Sequence, residues 1–270
     1  MTNLEKKATT LREWIIRSLA ASGSGHPGGS LSAIDILTLL YYQEMDITLN
    51  NYDQKDRDHF VLSKGHAAPA LYSVLADKGF FPKEDLLELR KFGGHLQGHP
   101  DRLKTYGVDT SSGSLGQGLS IANGLALAQR LDGIQKKVYI LLGDGELQEG
   151  QIWEAAMTAA HYKLNNVIAF VDNNGLQIDG TNNEVMKVDE IGKKFEAFNW
   201  NVLKAEGHDF TSLTKAVQKA KTLEDSPTVI ICNTFKGKGV SFMEDQVGWH
   251  GKAPSAEEAE KALAELKEAF

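Results

Sequence analysis

One cysteine stands among 270 residues, so no disulfide can form within the chain and its fold must rest on packing. That residue, Cys232, follows the apolar run Val229-Ile230-Ile231, where a buried small hydrophobe is expected rather than a reactive thiol. Long apolar runs are also missing. None approaches the roughly 20 residues needed to span a bilayer, and the charged, amphipathic opening from Met1 to Arg17 lacks the apolar centre of a secretion signal. A cytoplasmic protein is the expectation. Positive charge is short as well: 29 Lys and Arg face 36 Asp and Glu, a formal net charge of −7. Without a global basic field, or aromatics interleaved with Lys/Arg clusters, nucleic acid and anionic membranes are not expected partners. Any anionic ligand must be held by local donors. No internal repeat, low-complexity segment or Pro/Gly linker divides the chain, which reads as a single domain over 1–270.

What is present is a regular alternation. Residues 4–20 read as an amphipathic helix, stopped by Ser22-Gly23-Ser24-Gly25. A second helix is expected over about 32–43, a short strand over 59–62 and a helix over about 67–77. Glycine-rich sequence from 93 to 118 lacks periodicity and reads as long loops, which in a compact domain are often functional. Strands are then expected at 137–142, 166–171, 200–205 and 228–232, separated by helices at 151–162, 189–198 and 210–222. A charged helix over 255–270 follows. Continuous apolar strands between helices predict an α/β fold, a doubly wound, mostly parallel sheet covered on both faces.

In such a sheet ligands bind at the carboxyl ends of strands, near a switch in strand order. Gly143-Asp144-Gly145 follows one strand and Asp172-Asn173-Asn174 the next, so Asp144 and Asn174 converge if those strands are neighbours. Asp144 offers a carboxylate, Asn174 an amide oxygen and Leu176 a carbonyl, a set suited to Mg2+ or Ca2+. The flanking glycines permit close backbone approach, and the helix expected from about Glu149 would aim its N–H groups at a phosphate. A metal-bridged diphosphate is the natural occupant. An isolated Gly-Asp-Gly is usually only a turn; here Asn-Asn follows after 27 residues, at the end of the next strand. That spacing resembles the thiamin-diphosphate-binding motif.

The likeness narrows further. Gly143-Asp144-Gly145-Glu146-Leu147-Gln148-Glu149-Gly150 followed by Trp153-Glu154-Ala155 resembles the transketolase form of the motif. Ser24-Gly25-His26-Pro27-Gly28, Ser63-Lys64-Gly65-His66, Gly98-His99-Pro100, Ser114-Leu115-Gly116-Gln117-Gly118 and Trp249-His250-Gly251 also match transketolases, in order. The resemblance implies that Asp144, Asn174 and the Leu176 carbonyl hold the metal and that Gly145, His66 and His250 reach the diphosphate. It sets Gly113 and Leu115 against the aminopyrimidine and Ile178 against the thiazolium. His26, His99 and His250 become the catalytic histidines, contacting donor hydroxyls and moving protons, while Glu149 and Glu154 join a carboxylate network at a subunit boundary. The same resemblance implies a second, pyrimidine-binding domain that this sequence does not contain. The expectation is the N-terminal subunit of a split transketolase, a transferase acting on sugar phosphates in pentose-phosphate carbohydrate metabolism. Its partner would be a C-terminal transketolase subunit carrying the pyrimidine-binding domain, in a heterotetramer of two chains each.

Two other readings stand beside it. The α subunit of an α-keto-acid dehydrogenase has a comparable size, but the loop histidines and the Glu146–Gly150 stretch argue against it. A non-catalytic cofactor-binding paralogue would be expected to have lost some of Asp144, Asn174 and those histidines. His26, His66, His99 and His250 each adjoin a glycine in a loop, where backbone can approach a ligand and an imidazole can act near neutral pH. His59, His95, His161 and His208 read as surface or satisfied core residues, and Lys236 and Lys238 as solvated loop lysines. Gly23-Ser24-Gly25-His26-Pro27-Gly28 fits a dinucleotide pattern, but it follows a helix rather than a strand and is discarded.

Overall fold

A computed structural model describes residues 1–188 and 190–268. Five strands, β1 (His59–Leu62), β2 (Val138–Gly143), β3 (Val167–Asn173), β4 (Asn201–Glu206) and β5 (Thr228–Asn233), pair in parallel in the order β1-β2-β3-β5-β4. The central strands are apolar at nearly every position because both faces are covered. Tyr139, Leu141, Ile168, Phe170, Ile230 and Cys232 pack into one layer, with helices α1 (Asn3–Ser22), α2 (Pro27–Leu39), α3 (Ala68–Asp77), α8 (Phe210–Lys221) and α9 (Ala256–Glu268). Val138, Ile140, Leu142, Val167, Ala169, Val171 and Val229 pack into the other, with α4 (Gly118–Leu131), α5 (Gly150–His161) and α7 (Ile191–Ala197). A single turn, α6 (Asn182–Val185), capped by Thr181, lies between β3 and α7. Each fully buried Val, Leu, Ile, Phe or Met side chain of the core contributes about 1.5–3 kcal/mol. The expected α/β sheet with helices on both faces is the observed one. Among the described residues no helix is long and apolar enough to cross a membrane.

Several boundaries differ from the sequence reading, each for a local reason. The second helix opens at Pro27, five residues before the expected start. Proline at the first helical position has a preset φ and no N–H to leave unpaired. It then widens into one π turn, Leu40–Glu44. Helix α4 has no counterpart in the sequence reading. Gly118, Asn123 and Gly124 dilute its pattern, yet Leu119, Ala122 and Ala126 are buried at helical spacing. Helix α7 begins at Ile191, and the expected start at Asp189 lies outside the described residues, as does Phe270. Strands β2 and β3 are neighbours in the sheet, the condition on which Asp144 and Asn174 are expected to converge. Cys232 is fully buried, and burial, then the nearby Asp172 charge, pushes its thiol up.

Candidate active site

The parallel register sets Gly143 beside Asp172, so the turns after β2 and β3 leave the sheet side by side. Asp144 ties them together. Its Oδ2 accepts from the Gly175 N–H at 2.7 Å and the Asn182 amide at 2.8 Å, and its Oδ1 from the Gly145 N–H at 2.8 Å. Asn174 Oδ1 accepts from the Leu176 N–H at 3.2 Å. Asp144, Asn174 and Leu176 all line one cavity of about 430 Å3. Burial, reinforced by the Asp172 charge, raises the Asp144 carboxyl above its ordinary value, against three donors that lower it. A carboxylate in that state gains from an added cation. Among the described residues no group of three or more His, Cys, Asp or Glu side chains could hold a metal. One carboxylate, an amide oxygen and a carbonyl instead form a partial hard-cation set, of the kind that phosphate oxygens and water complete. The residues fit the implied group.

The helix expected from Glu149 is not the first element at this crevice. A 3₁₀ turn, Gly145–Gln148, comes first because the Asp144 side chain caps it through the Gly145 N–H, and α5 starts at Gly150. Gly145 lines the cavity with its N–H already bonded to Asp144.

Three loops and the cap of α2 bring His26, His66, His99 and His250 to the same cavity. The ring of His26 lies 5.3 Å from His66, 6.4 Å from His99 and 5.5 Å from His250, centroid to centroid. Burial, then the charges of Arg90, His99 and Lys236, lowers His26 to about 4. Burial, then Lys236, His26 and Lys64, lowers His250 to about 3. His66 and His99 are lowered too, chiefly by burial, with Lys64 and Arg90 respectively as the next causes. Near pH 7 these rings are neutral, each able to donate at one nitrogen and accept at the other. His26 Nδ1 is buried without a partner.

Depressed histidines fix the sign of a pH effect on stability. The unfolded chain takes up protons near the ordinary value of 6.5, whereas the folded chain does so only near 3 to 4. Folding is therefore favoured above 6.5 and loses stability as pH falls from there towards 4. Urea unfolding should show stability falling as pH drops from about 7 to 5, with a shallower slope for the variant His26→Gln/His250→Gln. Equal slopes would contradict the neutral-histidine site.

Two lysines belong here that the sequence reading missed or set aside. Lys236 is only 2% exposed, not solvated; its Nζ donates to the Leu176 carbonyl at 3.1 Å and to His250 Nδ1 at 2.8 Å. Burial, then the Lys64 charge, lowers Lys236 to about 8. Lys238, by contrast, is half-buried and pairs with Glu244 at 3.3 Å. Lys64 is buried against the carboxylate of Asp172 and donates to the Gly29 carbonyl at 3.0 Å. Burial pushes Asp172 up, but Lys64, Ser32 and Thr234 outweigh it and hold the carboxyl below its ordinary value. The signal available in the sequence was position: both lysines follow the carboxyl end of a strand by two or three residues.

Glu146, also missed, is buried within the motif itself. It accepts from the Ser63 hydroxyl, the Gly116 N–H at 2.9 Å and the Gly143 N–H at 3.0 Å, joining the Gly113–Leu115 loop to the turn that carries Asp144. Gly113, Leu115, Ile178 and Glu149 line the cavity, with Ile178 and Glu149 exposed. Glu154 does not line it; it is exposed on α5. Of the other histidines, His59 bonds Gln129, His95 pairs with Asp85, His208 with Asp35, and His161 is exposed. A larger hollow of about 730 Å3 beside α7 contains none of the candidate residues.

An oxygen donor set, two buried ammonium groups and four neutral imidazoles at the carboxyl edge of a parallel sheet make a cofactor-anchoring α/β domain. Comparison with known proteins narrows that class. Residues 4–269 match the family described as transketolase, thiamine diphosphate binding domain, and the chain belongs to it. It is 42% identical over 265 residues to the 6-deoxy-6-sulfo-D-fructose transketolase subunit SqwG of Clostridium sp. strain MSTE9, covering 98% of this chain and 96% of that one. It is 41% identical over 266 residues to an apulose-4-phosphate transketolase subunit of Actinobacillus succinogenes, with coverage of 98% and 96%. The crystal structure of Campylobacter jejuni transketolase superimposes with a TM-score of 0.92 at 35% identity, covering 99% of this chain but 43% of that one.

Proposed function

We propose that the chain, one domain over 1–270, is the N-terminal subunit of a split transketolase. With a partner carrying the pyrimidine-binding domain, it transfers a two-carbon ketol unit from a ketose donor to an aldose acceptor. The observation that carries this reading is likeness to proteins named as transketolase subunits, at 42% and 41% identity over nearly the whole chain.

In this reading Asp144, Asn174 and the Leu176 carbonyl hold Mg2+ or Ca2+. Gly145, His66, His250 and the Lys236 ammonium face the diphosphate, Gly113 and Leu115 the aminopyrimidine, and Ile178 the thiazolium. When bound, thiamin diphosphate supplies the carbon that takes up and releases the ketol unit. His26, His99 and His250 bind the donor hydroxyls and move protons there. His250 accepts from Lys236 at Nδ1, which leaves its Nε2–H to donate. Glu149 and Glu154, both exposed, are free to meet the partner, and two chains of each kind make a heterotetramer. The two relatives are named for a sulfosugar and a sugar phosphate, so an anionic sugar is the substrate class. A cytoplasmic location suits the free thiol of Cys232.

Affinity capture of the tagged chain from its native lysate, followed by mass spectrometry, should recover a near-stoichiometric subunit with a pyrimidine-binding domain. Capture of the chain alone, repeated after crosslinking, would count against the split enzyme.

A further inference from the structure

Lys236 carries its ammonium on a flexible four-carbon stem, so its placement depends on how the backbone of its loop is fixed. The loop leaves β5 at Asn233, and its neighbouring side chain Phe235 is 49% exposed, too exposed to anchor it by burial. The Thr234 hydroxyl on Asp172 and the Gly239 N–H on Glu244 Oε1 at 2.9 Å hold its outer positions, and two further polar contacts lie closer to Lys236. The Phe235 N–H donates to His208 Nε2 at 2.8 Å, one residue before Lys236. The Lys238 carbonyl accepts from Arg12 Nε at 3.0 Å, two residues after it. Both contacts lead back to one carboxylate. Asp35 on α2, 4% exposed, accepts from Arg12 Nη1 at 3.0 Å and Nη2 at 2.5 Å, and from His208 Nδ1 at 2.6 Å. Because Nε2 must accept from an amide, the His208 proton sits on Nδ1, where Asp35 receives it.

We propose that Asp35, Arg12 and His208 form a positioning device that fixes the loop on both sides of Lys236, holding the ammonium at the Leu176 carbonyl and His250. None of the three lines the cavity. They act through Lys236 and are positioning residues. Asp35 sets both contacts at once: its two oxygens orient the guanidinium and the imidazole, and those place the Lys238 carbonyl and the Phe235 amide. Other contacts to the loop, the Gly237 N–H to the Gly28 carbonyl at 3.0 Å and the Asp245 N–H to the Lys236 carbonyl at 2.9 Å, fix its middle and do not reach Asp35. The inference rests on the proposed function only in assigning Lys236 to an anionic ligand.

The test separates the two halves of the His208 contact. Asn in place of histidine keeps a donor for Asp35 but is too short to reach the Phe235 N–H, whereas Gln offers an acceptor near the position of Nε2. Lys236 is followed by its rate of acetylation in the full-length chain, read by mass spectrometry, and anion binding by the Kd of inorganic pyrophosphate with Mg2+. For His208→Asn, Lys236 acetylation should quicken about fivefold and pyrophosphate bind about fivefold more weakly, the scale of one lost hydrogen bond. Lys64 should be unaffected, and His208→Gln should recover most of both changes. In a Lys236→Met background, His208→Asn should leave the pyrophosphate Kd unchanged. An unchanged Lys236 rate in folded His208→Asn overturns the proposal, as does a Kd effect that persists without Lys236. If the unsubstituted chain binds no pyrophosphate, the functional reading fails while the acetylation result still decides the clamp.

Discussion

Asp144→Ala is expected to weaken magnesium-dependent binding of thiamin diphosphate by at least about 100-fold, beyond what loss of an outer-shell partner does. The aspartate supplies the only carboxylate in a donor set otherwise made of an amide oxygen and a carbonyl, so no neighbour can replace its charge. The fold should suffer less than the site. Alanine strands three donors, the Gly145 and Gly175 N–H groups, which water can reach in part, and the buried Asn182 amide, whose loss costs about 1–3 kcal/mol. Against that, it removes a carboxylate that burial and Asp172 already hold in a disfavoured charged state. Asp144→Asn, which keeps an oxygen and loses the charge, separates the two effects: stability near that of the unsubstituted chain, binding as weak as for alanine. Calorimetric titration with and without Mg2+ measures this. Undiminished metal-dependent affinity in Asp144→Asn would remove Asp144 from the site.

The second large effect is expected for Lys64→Met. Asp172 is fully buried, and Lys64 is the cation that balances it; Ser32 and Thr234 donate hydrogen bonds but no charge. Breaking a buried pair by removing one partner costs about 3–5 kcal/mol, because the remaining charge stays in a poor solvent. Urea unfolding at pH 7 should show a loss of that size. Adding Asp172→Asn to Lys64→Met should recover part of it, since a neutral amide no longer needs the ammonium. A loss below about 1 kcal/mol would place Lys64 and Asp172 in a better solvated setting than their burial indicates.

Strand β1 was legible to the residue and the other strands to within one or two; for β1, β2, β3 and β5 the reason is a short apolar run buried on both faces, which has few alternatives. Helix α4 was not, since Gly118 and Gly124 dilute a pattern that tertiary packing completes through Leu119, Ala122 and Ala126. The motifs carried most of the cavity: every candidate residue except Glu154 lines it. Lys236 was misjudged for a different reason. Phe235-Lys236-Gly237-Lys238-Gly239 has the make-up of a solvated loop. Its lysine is buried all the same, packed beside Gly28, more than two hundred residues away in sequence, and bonded to Leu176 and His250. Glu146 lay in view within the motif, but its three donors come from Ser63, Gly116 and Gly143, and only the fold brings the first two near.

The most direct test of a split transketolase is ketol transfer by the chain with and without its partner. Purified chain, thiamin diphosphate and Mg2+ are incubated with a ketose phosphate and an aldose, and the new ketose is followed by mass spectrometry. No transfer is expected from the chain alone, and sustained transfer once the subunit carrying the pyrimidine-binding domain is added. Transfer at full rate without the second subunit would contradict the account, as would a stoichiometric complex of the two that binds cofactor and transfers nothing.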